Sequence, residues 1–291
     1  MALAGATEGR LAIIAGSGKL PLFLAEAARE AGESPFILRL KNEADPIWDG
    51  FDSAVVGVGD MSGLSALFQK HKISRVVMSG AVKKRPSLSE IHVNWKSILK
   101  LPMALRTLLA GGDDAVLKMV ISLIEAQGCH VIGAHEILPA LLATTGPIGN
   151  VEPSADDWRD IERAADAAET LGRLDVGQGA VCVGGRIVAL EGVEGTDAML
   201  ARVARLRSEG RISQRRKGVL VKLCKPQQDV RADLPAVGIS TVENARAAGL
   251  AGIAVEAGRA LVIEREAMVA AANAAGMFVI GIDRGLKGAG E

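Results

Sequence analysis

The sequence predicts an α/β fold: an N-terminal Rossmann-like domain with a parallel sheet, then a C-terminal α/β domain with a mixed sheet. At 291 residues, the chain is long for a single hydrophobic core. Short apolar runs alternate with helical segments through the first half, which is typical of a parallel sheet covered by helices. The segment TTGPIGNVEPS (144–154) holds two prolines and two glycines. We therefore expect domains at 1–147 and 148–291, joined by this Pro/Gly linker.

The first half opens with a buried strand, LAIIAG (11–16), and a glycine loop, GSGKLP (16–21). Pro21 stands where a helix should begin, because its fixed φ suits the first helical position. The helix LFLAEAAREAG (22–32) follows. Later strands are expected within 34–40, 53–60, 74–80 and 129–132, and helices within 61–72, about 95–128 and 134–143.

The second half begins with a helix that Ser154 and Asp157 should cap. AVCVGGRIVALE (180–191) reads as two strands around a Gly-Gly hairpin turn. Ser240 with Glu243 is a capping-box pattern that predicts another helix start. The remaining helices are expected at 195–210 and 265–276, and the remaining strands within 218–224, 252–264 and 277–283.

The composition argues against nucleic-acid-binding, disulfide-bonded and membrane-spanning classes of protein. Lys+Arg and Asp+Glu both number 34, and aromatic residues make up 3%. Nucleic acid is therefore not expected as a partner, because phosphate binding favours a basic surface and base stacking favours aromatic rings. The three cysteines lack metal or disulfide spacing, which favours a reducing cytoplasm. We expect no signal peptide and no membrane span, since no apolar run reaches the roughly 20 residues that a bilayer requires.

The segment KPQQDVRADLPAVG (225–238) is the densest polar cluster, and it follows an apolar strand. If it is extended, Asp229, Arg231 and Asp233 face one side, because alternate residues in a strand share a face. Carboxylates bind Mg²⁺, and the arginine fork binds phosphate, so the set suits a diphosphate–metal site. On chemistry alone, a solvated loop with an Asp–Arg ion pair is as well supported as the diphosphate–metal site.

A second acidic cluster, Glu191, Glu194 and Asp197, ends a strand and opens a helix. Acidic residues there often only complement the helix dipole, but helix starts also hold phosphates. Gln178 and Asp175 flank Gly177 at another strand entry, where a structural turn is the favoured interpretation.

Two loops of the first half are candidates for phosphate binding. Gly16, Gly18 and Lys19 follow the first strand, but Pro21 replaces the third glycine of a dinucleotide motif. A tight structural turn is the favoured alternative. SGAVKKRP (79–86) carries Lys83 at the carboxyl end of a strand, the edge where open α/β sheets bind ligands, although a plain basic surface is equally consistent. Asp113 and Asp114 are interpreted as a helix cap.

No histidine pair has metal-ligand spacing, and no serine or cysteine nucleophile signature appears. The ordered motifs LDVGQGAVCVGGRIVALEGVEGTDAMLAR (174–202), VLVKLCKPQQDVRADLPAVGISTVENA (219–245) and AGLAGIAVEAG (248–258) resemble the UDP-2,3-diacylglucosamine pyrophosphatases of the LpxI type. The N-terminal glycine loop, SGAVKKRP and GGDDAVLKMVISLIEAQG (111–128) fit the same family.

This resemblance implies hydrolysis of UDP-2,3-diacylglucosamine to UMP and lipid X, a step of lipid A synthesis in Gram-negative bacteria. It implies two domains that hold the lipid substrate between them, a divalent cation (Mg²⁺ or Mn²⁺), and water attack on the β-phosphorus. The cytoplasm, with peripheral contact at the inner membrane, is the implied location. The helical segment SILKLPMALRTLLAGG (97–112) is a candidate for lipid contact, although an ordinary packed helix pair is favoured.

Site roles follow from the same resemblance. The expected catalytic residues are Asp229, Arg231 and Asp233, and the expected metal ligands are Asp229, Asp233, Glu194 and Asp197. The expected substrate-binding residues are Gly16, Gly18, Lys19, Lys83, Gln178, Thr196, Lys222, Gln228 and Thr241. Two alternatives remain open at this point: a nicotinamide-dependent oxidoreductase built on the glycine loop, and a carrier of lipid or nucleotide without catalysis.

Overall fold

The computed structural model describes residues 9–82 and 113–284, and by contacts the chain forms two compact units. The first unit contains a five-stranded, all-parallel sheet in the order β3-β2-β1-β4-β5. Its elements are β1 (Arg10–Ala15), α1 (Leu20–Glu30), β2 (Phe36–Leu40), β3 (Ser53–Val56), α2 (Met61–Lys70), β4 (Ile73–Ser79), α3 (Asp113–Glu125), β5 (His130–Ile132) and α4 (Ala134–Ile137). This strand order confirms the Rossmann-like prediction.

The second unit contains a six-stranded mixed sheet in the order β6-β13-β11-β9-β7-β8. Its elements are β6 (Gly146–Pro147), α5 (Ala155–Arg173), β7 (Gly179–Val183), β8 (Arg186–Leu190), α6 (Gly195–Ser208), β9 (Val219–Lys222), β10 (Ala236–Val237), α7 (Ile239–Ala247), β11 (Gly252–Glu256), β12 (Leu261–Val262), α8 (Arg265–Ala274) and β13 (Phe278–Ile282). Strands β9, β11 and β13 run parallel, whereas β6 and β7 run antiparallel to their neighbours. The mixed sheet is therefore confirmed.

Both faces of this second sheet are buried. Val181, Ala189 and Leu220 face a core that includes residues of α6, α7 and α8. Ala180 and Val221, one residue along their strands, face a core that includes residues of α5. This alternation fixes the face to which each strand residue points.

The division between the units differs from the expected boundary after residue 147. Residues 140–228 and 234–291 form the second unit. The segment 140–147 belongs with it because Ala143 N donates to Ala260 O at 2.8 Å and Gly146–Pro147 pairs with β13. The turn Asp229–Asp233 is grouped with the first unit instead.

The structure confirms two local predictions and corrects a third. Ser154 caps α5 with Asp157, and Gly184 and Gly185 take φ values of 59° and 80°, as a two-residue hairpin turn requires. The cap of α7 is Gly238, not Ser240, because Thr241 Oγ1 accepts the bond from Gly238 N at 3.3 Å.

In the two described ranges, every helix is too short or too polar to cross a lipid bilayer. Lys83, Lys84, Arg85 and the whole segment 97–112 fall outside those ranges.

Candidate functional site

The turn Asp229–Asp233 does not have the extended conformation expected of it. Ala232 N and Asp233 N both donate to Asp229 O, at 3.0 and 3.3 Å, which closes the backbone into a turn. The argument that alternate residues face one side is therefore wrong here. The reason is local, because an aspartate readily starts a turn.

Arg231 is the centre of the charged contacts in this turn. Its Nε and Nη2 donate to Asp229 Oδ1 and Oδ2 at 3.0 and 2.7 Å, and its Nη1 donates to Glu125 Oε1 at 2.8 Å. The hydrogen bond from Arg231 lowers the pKa of Asp229, and the bond to Asp229 raises the pKa of Arg231. The Asp–Arg ion pair that the sequence left as an alternative is thus present.

A second group of predicted residues lies at one edge of the six-stranded sheet. Strands β8 and β9 end at this edge and β7 begins there, because β7 runs antiparallel to both. Glu191 follows β8 and Lys222 ends β9. Thr196 lies in the first turn of α6, and Thr241 lies in the first turn of α7. The edge therefore combines polar side chains with two helix N-termini.

Glu191 is the buried carboxylate of this edge, at 7% exposure. Its Oε1 accepts a hydrogen bond from Thr196 Oγ1 at 2.7 Å, whereas its Oε2 is buried without a partner. Buried carboxylate oxygens are costly unless a donor meets them. Gln178, at the entry to β7, also has a buried amide oxygen, Oε1, that lacks a partner.

Lys222 is the buried cation of the edge, at 6% exposure. Its Nζ donates to Ala236 O at 3.1 Å, and an ammonium group carries three donors. No ion pair joins Lys222 to a carboxylate of the described residues. Donor capacity therefore remains for an anionic ligand.

The other expected metal ligands already have protein partners. Glu194 forms an ion pair with Arg202 at 3.1 Å, and Asp197 accepts a bond from Asn244 at 2.9 Å. In the described part of the chain, no group of three or more His, Cys, Asp or Glu side chains is arranged to hold a metal. The expected ligands therefore fit only a cation that takes few protein ligands, as Mg²⁺ does when it is bound with phosphate oxygens.

Gln228 has a structural role in its own loop. It is buried, and its Oε1 accepts bonds from Lys225 N at 3.0 Å and from Cys224 Sγ at 3.4 Å. Lys225 in turn pairs with Asp175 at 2.7 Å. These contacts fix the backbone that leads from β9 towards the turn Asp229–Asp233.

The glycine loop of the first unit is held by protein contacts. Gly18 N donates to Asp45 Oδ2 at 2.8 Å, so a carboxylate takes a donor that was expected to bind phosphate. A side chain at Gly16 would lie 2.5 Å from Ala81 O, so this glycine permits close strand packing. Lys19 is the N-cap residue of α1. The structural interpretation of the loop is therefore favoured, which weakens the oxidoreductase alternative.

A separate cavity of about 440 Å³ lies at the opposite edge of the second sheet, beside Gly184 and Gly218. It contains none of the predicted site residues. Its buried Asp160 accepts bonds from Gly184 N and Gly185 N, at 2.8 and 2.6 Å, and so holds the hairpin turn. Its acidic and basic residues are mixed, which gives the cavity no single charge preference.

Sequence reasoning missed two partners of the predicted residues and one glycine. Asp45 and Glu125 lie far along the chain from Gly18 and Arg231, and no local pattern indicates either pairing. Gly179 borders the Glu191 carboxylate, because a Cβ at residue 179 would lie 2.5 Å from Oε2.

Comparisons with known proteins cover nearly the whole chain. Residues 10–141 match the LpxI N-terminal domain and residues 144–280 match the LpxI C-terminal domain. The chain is 42% identical over 276 residues to a Caulobacter vibrioides protein named UDP-2,3-diacylglucosamine pyrophosphatase LpxI, covering 94% of this chain and 98% of that protein.

Solved structures show a weaker likeness. UDP-glucose 4-epimerase of Thermus thermophilus with NAD matches at TM-score 0.32 and 14% identity, over 94% of this chain and 86% of that one. A GalE-like L-threonine dehydrogenase from Cupriavidus necator matches at TM-score 0.29 and 13% identity, over 70% of this chain and 52% of that one. At these scores the likeness supports no inference about ligand or activity.

Proposed function

The chain belongs to the LpxI family, and we propose that it hydrolyses the diphosphate of UDP-2,3-diacylglucosamine to UMP and 2,3-diacylglucosamine 1-phosphate, lipid X. The observation that carries this proposal is the end-to-end match to the Caulobacter enzyme, which spans both units. The reaction belongs to lipid A synthesis.

The polar edge of the second unit suits a diphosphate. Lys222 supplies a buried positive charge, and Thr196 and Thr241 lie in the first turns of α6 and α7. Backbone N–H groups at helix N-termini attract phosphate oxygens, and a buried cation strengthens that attraction. We assign substrate binding to these residues and to Gln178.

The turn Asp229–Asp233 supplies the proposed catalytic groups. Asp229 is held as a carboxylate because its hydrogen bond with Arg231 lowers its pKa. Asp233 and Asp229 orient the attacking water or hold the cation, and Arg231 binds a phosphoryl oxygen through its guanidinium group. In the proposed step, water adds to the β-phosphorus, its proton passes to a carboxylate or to solvent, and the bond to the UMP oxygen breaks.

Mg²⁺ or Mn²⁺ is the proposed cation, held by substrate oxygens together with one or two carboxylates among Asp229, Asp233, Glu194 and Asp197. When bound, it would neutralise the diphosphate charge and favour departure of UMP.

The proposed location is the cytoplasm, with peripheral contact at the inner face of the inner membrane, because the substrate carries two acyl chains. Co-sedimentation with phospholipid vesicles tests this contact. Recovery of all the protein in the supernatant, with and without substrate in the vesicles, would contradict it.

The experiment that tests the proposal is UMP release by purified protein with Mg²⁺, with Mn²⁺ and with EDTA. We expect metal-dependent release that falls by at least about a hundredfold in Asp233→Ala. Asp49→Ala, at an exposed aspartate in the first unit, is the matched control and should keep wild-type turnover. Lipid X binding without any turnover would support a carrier instead.

A further inference from the structure

Three residues of the second sheet form one row across adjacent strands. Gly179 on β7 pairs directly with Lys222 on β9, and Glu191 N donates to Gly179 O at 2.9 Å on the other side. Directly opposite residues in antiparallel strands point to the same face. Glu191, Gly179 and Lys222 therefore share the face that is covered further along by α6 and α7, where Val181 and Ala189 lie.

The glycine at the centre of this row leaves room for the carboxylate of Glu191, because a Cβ at residue 179 would lie 2.5 Å from Oε2. Adjacent strands lie about 4.8 Å apart, so the backbones of Glu191 and Lys222 are separated by roughly twice that distance. The two side chains form no ion pair with each other within the described residues, because Glu191 binds Thr196 and Lys222 binds Ala236 O. Glu191 Oε2 lacks a donor, and Lys222 has donors to spare.

A ligand that binds both side chains must offer a hydrogen-bond donor to Glu191 Oε2 and an acceptor to Lys222 Nζ. The acceptor is best an anion, because the N-termini of α6 and α7 lie at the same edge. The donor is best a neutral hydroxyl, since the ammonium of Lys222 would repel a metal cation placed beside it. A sugar phosphate carries both groups, a hydroxyl and an anionic phosphate.

We infer that Glu191 accepts a hydrogen bond from a sugar hydroxyl while Lys222 holds the phosphate of the same sugar, which makes Glu191 a specificity residue of the site. This inference rests on the proposed function, whose substrate contains two such sugars. The ribose 5′-phosphate lies in the UMP half, and the glucosamine 1-phosphate lies in the lipid X half.

The test is calorimetric binding of UMP, 2′-deoxy-UMP, 3′-deoxy-UMP and glucosamine 1-phosphate to the wild type and to Glu191→Leu. If the ribose occupies the subsite, the wild type binds UMP about tenfold or more tightly than one of the deoxy analogues, and the variant loses this preference. If the glucosamine occupies it, the variant binds glucosamine 1-phosphate about tenfold more weakly and binds UMP normally. Equal affinities of wild type and variant for every ligand overturn the inference.

Two further variants keep the test decisive. Gly179→Ala places a methyl group 2.5 Å from Glu191 Oε2 and so displaces this carboxylate; it should weaken binding of the same sugar phosphate if Glu191→Leu does not fold. Unchanged binding in folded Gly179→Ala also counts against the inference. Glu162→Gln, at an exposed position of α5, is the control and should bind as the wild type does.

Turnover separates this inference from the proposed function. Wild-type release of UMP from UDP-2,3-diacylglucosamine, together with unchanged binding in the Glu191 variant, rejects the subsite and keeps the hydrolase. No release, with the Glu191-dependent preference intact, rejects the hydrolase and keeps the sugar phosphate subsite.

Discussion

Arg231 holds Asp229 through two hydrogen bonds, from Nε to Oδ1 at 3.0 Å and from Nη2 to Oδ2 at 2.7 Å, although only one residue separates them. The same guanidinium group reaches Glu125 on α3 at 2.8 Å. Its planar geometry matches a carboxylate in a way that lysine does not. This contact fixes the shape of the turn that carries the proposed catalytic carboxylates.

Loss of the guanidinium group should destabilise the fold. Arg231→Ala leaves Asp229 and Glu125 without their partner, and we expect a loss of about 1–2 kcal/mol, limited by the partial exposure of all three groups. Arg159→Ala, which removes an exposed ion pair with Asp156, should change stability by less than about 0.5 kcal/mol. Equal urea midpoints for the two variants would contradict this role.

The Asp229 contact should also make stability depend on pH. The pKa of Asp229 lies below its ordinary value of 3.8 because Arg231 stabilises the charged form. The contribution of the Asp229–Arg231 contact to stability is therefore fully present above about pH 4, and it is lost as the pH falls through the lowered pKa. The free energies of unfolding of the wild type and of Asp229→Asn can be compared between pH 6 and pH 2. Their difference should stay constant over most of this range and shrink only at the acid end. A difference in the free energy of unfolding that grows on acidification would contradict this prediction.

Gly80 should be among the least replaceable glycines of the first unit. It has a φ of +89°, and a Cβ there would lie 2.8 Å from the backbone of Gly16. Gly80→Ala should therefore cost more than about 2 kcal/mol. Gly32 has a similar φ of +85° but open space around it, so Gly32→Ala should cost only about 1 kcal/mol. Thermal melting of both variants separates the steric effect from the backbone effect.

Cys182 should be unreactive in the folded protein. Burial, with further contributions from the hydrogen bond and charge of Asp160, raises the pKa of its thiol to about 12. Since the thiolate is the reactive form, iodoacetamide at pH 8 should leave Cys182 unmodified until the chain is unfolded. Mass spectrometry of the labelled peptide checks this, and rapid labelling of the native protein would contradict it.

Local patterns predicted much of the fold because they act over short distances. The capping pair Ser154–Asp157 and the Gly184–Gly185 turn need only neighbouring residues, and both have the expected geometry. The Ser240 cap was misplaced because Thr241 offers the same hydroxyl chemistry to Gly238. Two hydroxyl residues in succession made the helix start ambiguous.

The candidate site was less predictable because its contacts join distant parts of the chain. The pairing of Arg231 with Glu125 and of Gly18 with Asp45 depends on the assembled tertiary structure. Glu191 is one of three clustered carboxylates, and the sequence does not distinguish it from Glu194. Only the structure separates the buried, partly unsatisfied Glu191 from Glu194, which pairs with Arg202.

The most direct test of the hydrolase assignment is to identify both products formed from UDP-2,3-diacylglucosamine by mass spectrometry. The assignment predicts UMP and 2,3-diacylglucosamine 1-phosphate in equal amounts, because one diphosphate bond is broken per turnover. Release of UDP with free diacylglucosamine, or recovery of intact substrate with Mg²⁺ or Mn²⁺ present, would contradict it.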